Sequence, residues 1–345
     1  MKIGNFIIDQ NSPVFIIAEL SANHNGSLDN ALATIKAAKR AGADCIKLQT
    51  YTADTITLDS DKEDFVIKGT IWDGKKLHTL YQEAYTPWEW HEEIYHAAAA
   101  EGLICFSSPF DHTAVDLLES LNSPAYKIAS FEITDIPLIE YVASKGKPVI
   151  ISTGIAQEED IVLALDACHR MGNYDIALLK CTSSYPAPIE EANMCMVKDL
   201  AERYQVISGL SDHTLGSTVP IVATVFGAKI IEKHFIIDRA IGGPDASFSM
   251  NEAEFTAMVK AVREAEKAIG VVDYHLTEKQ AKGKDFSRSL YIAEDVKAGE
   301  VFTERNIRSV RPGFGLHPKY YRQVLGKTAK VAVEKGTRFS LDFIV

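Results

Sequence analysis

The chain has 345 residues, longer than one average domain and long enough for a (β/α)8 barrel of about 250 residues with a small module attached. Apolar residues make up 46%, ample for a large core, and the net charge of −11 comes from interspersed acidic and basic residues. No basic run resembles a nucleic-acid footprint, so nucleic acid is not expected as a partner and an anionic substrate has to be met by local cations.

The N-terminal segment MKIGNFIIDQNSPVF lacks a signal-type apolar stretch, and no apolar run approaches the ~18 residues of a membrane span. Both point to the cytoplasm and away from a membrane partner. The five cysteines (Cys45, Cys105, Cys168, Cys181, Cys195) include no CxxC pair and read as buried reduced thiols.

In chain order, KIGNFIID (2–9) reads as a hairpin plugging the bottom of a barrel. VFIIAE (14–19) reads as a buried strand, and residues 28–42 as an amphipathic helix stopped by Gly42. DCIKLQ (44–49) is a second strand. Residues 50–86 form a long excursion without clean period, after which 86–102 resumes as a helix with Thr86 at the N-cap and Pro87 in the first turn. Further strands are predicted at 103–107, 124–128, 148–152, 175–181, 205–209 and 228–232. Helices are predicted near 111–121, 135–145, 157–171, 190–204, 215–227 and 251–269. Continuous apolar strands joined by helices imply a parallel sheet, and eight βα units imply that it closes into a TIM barrel over residues 1–275. Residues 276–287 read as a linker. Residues 288–345, with short β-type runs and turn glycines, read as a small mainly-β module.

Barrel enzymes build their sites at the C-terminal strand ends. Here those ends carry Glu19, Lys47, Gln49, Ser107, Ser108, Lys127, Ser130, Ser152, Thr153, Thr182, Ser183, Tyr185, Ser211, Asp212, His213, Glu232 and His234. Lys47 and Lys127 lie in apolar strands and need counter-charges: an anionic ligand, or ion pairs to Glu19 or Glu232. A Schiff-base lysine is a further alternative. His213 and His234 end adjacent strands, about 4.8 Å apart in any sheet, so the two imidazoles can share one divalent cation with open positions. Mixed N/O ligation suits Mn²⁺ or Mg²⁺. Glu19, next to the eighth strand in a closed barrel, is placed to relay a proton or to pair with a lysine.

The segments FIIAELSANHNGSL, GADCIKLQTYT, CFSSPF, YKIAS, STGIA, KCTSSYPAP, GLSDHTLG and IIEKHFIIDRAIGGPDASFSM together resemble the sialic acid synthase family of phosphoenolpyruvate-dependent enzymes. VKAGEVFTERNIRSVRPGFGLHP resembles the antifreeze-like (SAF) domain of that family. AELSANHNG, KLQTYTADTITLDSDKEDFVIKG and SVRPGFGLHPKYYRQVLGK resemble the branch that makes pseudaminic acid, and Ser183 stands where many relatives carry asparagine. The resemblance implies condensation of phosphoenolpyruvate with an amino-sugar aldehyde, 2,4-diacetamido-2,4,6-trideoxy-L-altrose. The N-acetylneuraminic and legionaminic acid branches remain alternatives. It implies that Lys47, Ser108, Lys127, Ser130, Ser152, Ser183 and Ser211 hold phosphoenolpyruvate. It also implies that His213 and His234 bind Mn²⁺ or Mg²⁺, with Co²⁺ a further candidate, and that Glu19, Gln49, Tyr185 and Asp245 meet the sugar. Finally, it implies a domain-swapped homodimer in which Arg311 reaches the sugar of a second subunit.

Overall fold

The computed structural model describes all 345 residues. Eight strands pair in parallel and in chain order: β1 (Phe15–Glu19), β2 (Cys45–Thr50), β3 (Ile104–Pro109), β4 (Tyr126–Ile128), β5 (Val149–Ser152), β6 (Ile176–Cys181), β7 (Ile207–Asp212) and β8 (Ile230–His234). β8 returns to β1, with His234 opposite Glu19, so the barrel closes and leaves no sheet edge. The main helices of the barrel are α1 (Leu28–Arg40), α2 (His91–Ala100), α3 (His112–Ser120), α4 (Ile136–Ala143), α5 (Glu158–Arg170), α6 (Cys195–Tyr204), α7 (Thr218–Val225) and α8 (Glu252–Ile269), and the excursion after β2 adds shorter ones at Ala53–Ile56 and Leu77–Ala84. Their starts are capped locally. The Ser27 side chain accepts from the Asn30 N–H, Asp111 from Thr113 and Ala114, and Asn251 exchanges bonds with Glu254 in a capping box.

The two-residue period of the strands sorts their side chains. Ile16, Ala18, Ile46, Leu48 and Ile231 face outward into a shell shared with Ile35, Phe255 and Val262. Tyr126, Ile128, Val149, Ile151 and Leu178 face a second shell with Val115, Leu138 and Ala164. Phe15, Ile17, Cys45, Phe106, Ile150, Leu179 and Ile230 face inward and fill the barrel with Ile3 and Ile8, which the paired segments Lys2–Ile3 and Phe6–Ile7 bring there. The N-terminal hairpin is thus the plug the sequence suggested. Two residues further along, five of these inward apolar positions are followed by a polar one. Ile17 gives way to Glu19, Cys45 to Lys47, Phe106 to Ser108, Ile150 to Ser152 and Ile230 to Glu232. One step of the pleat separates the core from the reacting layer.

Three local expectations change. The seventh and eighth strands run on to Asp212 and His234, because the ladder continues through Leu210↔Ile231 and Ser211↔Glu232 although the residues turn polar. Thr86 does not cap a helix: Pro87 is extended, the chain enters a 3₁₀ turn at Trp88–Trp90, and Thr86 instead bonds the His24 ring. Cys195 opens α6 and is exposed, whereas the other four cysteines are buried, all five being free.

The chain divides into two compact units, Met1–Gly270 and Val271–Val345. Residues 276–287 contain a short exposed helix, Glu278–Lys282, followed by a 3₁₀ turn. The second unit has its own core of Leu290, Ile292, Phe302, Ile307, Val324 and Phe339, and one antiparallel pair, β9 (Ser289–Ile292) with β10 (Ile307–Val310). No helix is long and apolar enough to cross a membrane.

Candidate active site

β1, β2, β4 and β8 bring four charged side chains together inside the barrel. Lys47 Nζ lies 2.6 Å from Glu19 Oε2 and 3.8 Å from Glu232 Oε2, and Lys127 Nζ lies 3.8 Å from Glu232 Oε1. All four are buried. The ion-pair alternative for the lysines is therefore realised in this structure, and Glu19 is a partner of Lys47. The formal charges of the quartet sum to zero, as burial requires.

The balance within it is uneven. Burial pushes the Glu19 carboxyl up to about 7, against the pull of Lys47. Burial also pushes on Glu232, but Lys127 and Lys47 outweigh it and hold that carboxyl below its ordinary range. Burial opposes the charge on Lys47, yet Glu19 and Glu232 outweigh it and raise that ammonium. Lys127 is lowered, by burial first. Of the two carboxyls in the quartet, Glu19 is the one whose proton affinity burial raises, the direction a general acid or base needs.

Hydroxyls surround the cations. Lys47 donates to Ser108 Oγ at 3.1 Å and Lys127 to Ser152 Oγ at 2.6 Å. Ser211 donates to Glu232 at 3.1 Å, and Ser183 to Ser130 at 2.8 Å. Gly154, after β5, makes room for this cluster: a Cβ there would sit 2.2 Å from Ser183 Oγ and 2.6 Å from Ser130 Oγ. Gln49 donates to Glu19 Oε1 at 3.0 Å.

His213 and His234 face one another with ring centroids 5.4 Å apart. The His213 Nδ1 sits 3.0 Å from the Thr182 carbonyl, so this nitrogen is the donor and Nε2 remains for another partner. Burial opposes protonation of His213, but the adjacent Cys181 thiol outweighs it. His234 is held well below its ordinary range by burial and then by His213. Its Nδ1 is buried without a hydrogen-bond partner and lies 3.7 Å from Asp245 Oδ2. A neutral imidazole with an unsatisfied buried nitrogen beside a second imidazole fits a divalent cation. A metal held by two imidazoles alone would keep open coordination positions.

Above this layer opens a cavity of about 660 Å³. Of the residues singled out from sequence, Gln49, Ser130, Ser183, Tyr185, His234 and Asp245 line it. Lys47, Ser108, Lys127, Ser152, Ser211, Glu232, Glu19 and His213 belong to the buried layer of the strands. Asp245 accepts from Ser21 at 2.5 Å, and burial raises its carboxyl. Arg311 lies in the second unit, after β10, and is exposed.

Sequence reasoning missed the half-buried Glu132, which lines the cavity, has one buried carboxylate oxygen without a hydrogen-bond partner and is pushed up to about 7 by burial. Its only signal was its place just beyond the fourth strand. Missed too were the aromatic walls. Tyr51, Phe110, Phe131 and Phe248 line the cavity with Trp72, which the excursion carries across to bond the Pro244 carbonyl at 3.3 Å.

Comparison with known proteins accounts for this arrangement. Residues 34–274 match the NeuB family and residues 287–345 match the SAF domain. The chain belongs to the NeuB family. It is 51% identical to a pseudaminic acid synthase of Campylobacter jejuni over 97% of both chains. It is 47% identical to a pseudaminic acid synthase of Helicobacter pylori over 96% of this chain and 98% of that one. The crystal structure of the spore coat polysaccharide biosynthesis protein spsE of Bacillus subtilis superposes with a TM-score of 0.68 at 34% identity, covering 100% of this chain and 99% of that one. As a NeuB-family member the chain is a condensing enzyme of the sialic acid synthase kind, on a TIM barrel followed by a SAF domain.

Proposed function

We propose that this enzyme condenses phosphoenolpyruvate with 2,4-diacetamido-2,4,6-trideoxy-L-altrose and water to give pseudaminic acid and phosphate. The observation that carries the sugar assignment is the identity of 47–51% to pseudaminic acid synthases along nearly the full chain. The geometry supports the chemistry. Phosphoenolpyruvate is anionic at both ends, and Lys47 and Lys127 with Ser108, Ser130, Ser152, Ser183 and Ser211 offer it two cations and five hydroxyls. C3 of phosphoenolpyruvate bonds to the aldehyde carbon, water oxygen bonds to C2, and the C2–O bond to phosphate breaks.

In this reading His213 and His234 hold a divalent metal, Mn²⁺, Mg²⁺ or Co²⁺. When bound, that metal polarises the aldehyde oxygen and makes a nearby water more acidic. Glu19, with its carboxyl near 7, takes a proton from the attacking water and returns it to the developing alkoxide. Gln49, held to Glu19, and Tyr185 and Asp245 on the cavity wall orient the sugar. Arg311 of a second copy meets an acetamido group in a domain-swapped homodimer.

The test is phosphate release from phosphoenolpyruvate with the altrose derivative, the legionaminic acid precursor and N-acetylmannosamine in parallel. Release with the altrose derivative above the other two is expected. Preference for N-acetylmannosamine overturns the sugar assignment, and release with none of the three overturns the reaction.

A further inference from the structure

Asp212 and Lys233 face each other across the β7–β8 ladder. The strand period points them to the helix side, away from the reacting layer. Both are buried, among outer-core residues that include Leu210, Ile231 and Phe235. Lys233 Nζ donates to Asp212 Oδ2 at 2.5 Å and to the Thr214 carbonyl at 2.5 Å. Asp212 Oδ1 accepts from the Thr214 N–H at 2.9 Å and from its hydroxyl at 2.8 Å. One ionic network thus holds the residue before His213, the residue after it, and the residue before His234.

Stability is a poor reason for such a network. Desolvation consumes most of the attraction within a buried ion pair, and apolar residues of similar volume serve as well or better. Its geometry supplies another reason. His213 has a hydrogen bond to orient its ring, from Nδ1 to Thr182, but His234 Nδ1 forms no hydrogen bond and has only Asp245 Oδ2 nearby at 3.7 Å. The His234 ring packs against Phe248, Tyr185 and His213, so its direction is set by that packing and by where β8 ends relative to β7; the network fixes the latter one residue upstream of each histidine.

We propose that Asp212, Lys233 and Thr214 are positioning residues, holding the ends of β7 and β8 at the spacing and twist at which His213 and His234 take one divalent cation. The inference rests on the metal-binding reading of the two histidines. Lys233 and Asp212 do not touch substrate; they act through the backbone that carries the two imidazoles.

The test is Mn²⁺ binding to the metal-stripped full chain, followed by the electron paramagnetic resonance signal of free Mn²⁺, with thermal melting of the same samples. The double variant Asp212→Leu/Lys233→Met removes both charges together. It is expected to melt at or above the temperature of the unmodified protein and to bind Mn²⁺ about tenfold or more weakly. Thr214→Val keeps the shape and removes only the hydroxyl bond to Asp212. It is the second measurement if the double variant does not fold, and weaker Mn²⁺ binding at an unchanged melting temperature is expected of it. A merely structural pair predicts the opposite split, a lower melting temperature with unchanged Mn²⁺ affinity in the folded protein, and that result in the folded double variant, or unchanged affinity in Thr214→Val, overturns the inference alone. Failure of the unmodified protein to bind Mn²⁺ overturns the metal reading and the inference with it.

Discussion

Lys127→Met is the most informative single change. Lys127 is buried, donates to Ser152 at 2.6 Å and lies 3.8 Å from Glu232, a spacing that gauges cation–carboxylate distances in this layer. At about 4 Å and an effective dielectric constant near 20, one unit charge is worth roughly 4 kcal/mol to a bound anion. That corresponds to about a thousandfold in kcat/KM. The fold is expected to survive. Glu232 keeps Lys47 at 3.8 Å, and loss of the Lys127 cation lets its carboxyl rise and take a proton instead of remaining charged without compensation. The assay is steady-state phosphate release with phosphoenolpyruvate varied at saturating sugar, beside thermal melting of the ligand-free protein. The expected result is a collapse of kcat/KM for phosphoenolpyruvate in a folded protein. An unchanged kcat/KM would refute the assignment of Lys127 to the anion and leave it as an internal ion-pair partner.

Chelation with EDTA is expected to abolish activity and added Mn²⁺ or Mg²⁺ to restore it. His234→Ala should lose metal on elemental analysis while its circular dichroism stays native, since its Nδ1 forms no hydrogen bond to lose; undiminished metal content contradicts that role. Gly154→Ala places a methyl 2.2 Å from Ser183 Oγ and 2.6 Å from Ser130 Oγ. Overpacking of this kind costs typically 1–3 kcal/mol, so a raised KM for phosphoenolpyruvate with a lowered melting temperature is expected, and normal kinetics would show that the two serines move aside freely. His24 is lowered from its ordinary 6.5 to about 4, by burial first and then by His91. The unfolded chain therefore binds more protons between those values. Stability present above pH 6.5 declines as pH falls, and roughly 3 kcal/mol is lost by pH 4. Urea midpoints across that range should fall less steeply in His24→Phe, and an identical slope would assign the acid sensitivity to other groups.

The order of elements was legible in the sequence because helix and strand periods are local. Gly42, Asp111 and Asn251 mark helix ends within a few residues of the patterns they close. The polar residues that close each apolar run marked the C-terminal strand ends, where a barrel builds its site, and two lysines stood inside apolar strands. This is why Lys47, Lys127, His213 and His234 were found without a structure.

What lay beyond the sequence was every choice that depends on closure. Whether Lys47 meets a ligand or Glu19 was open until β1, β2 and β8 stood side by side. Trp72 became a cavity wall only because the excursion folds back to Pro244. Glu132 and Lys233 drew no attention as single polar residues, and Asp212 stood out only as one more polar strand end. Their meaning lies in partners, or in the lack of one, that stand far off along the chain or across the barrel. Local periodicity fixes which way a side chain points. Which group it meets, and therefore its charge, is set by contacts between distant strands that exist only once the barrel has closed.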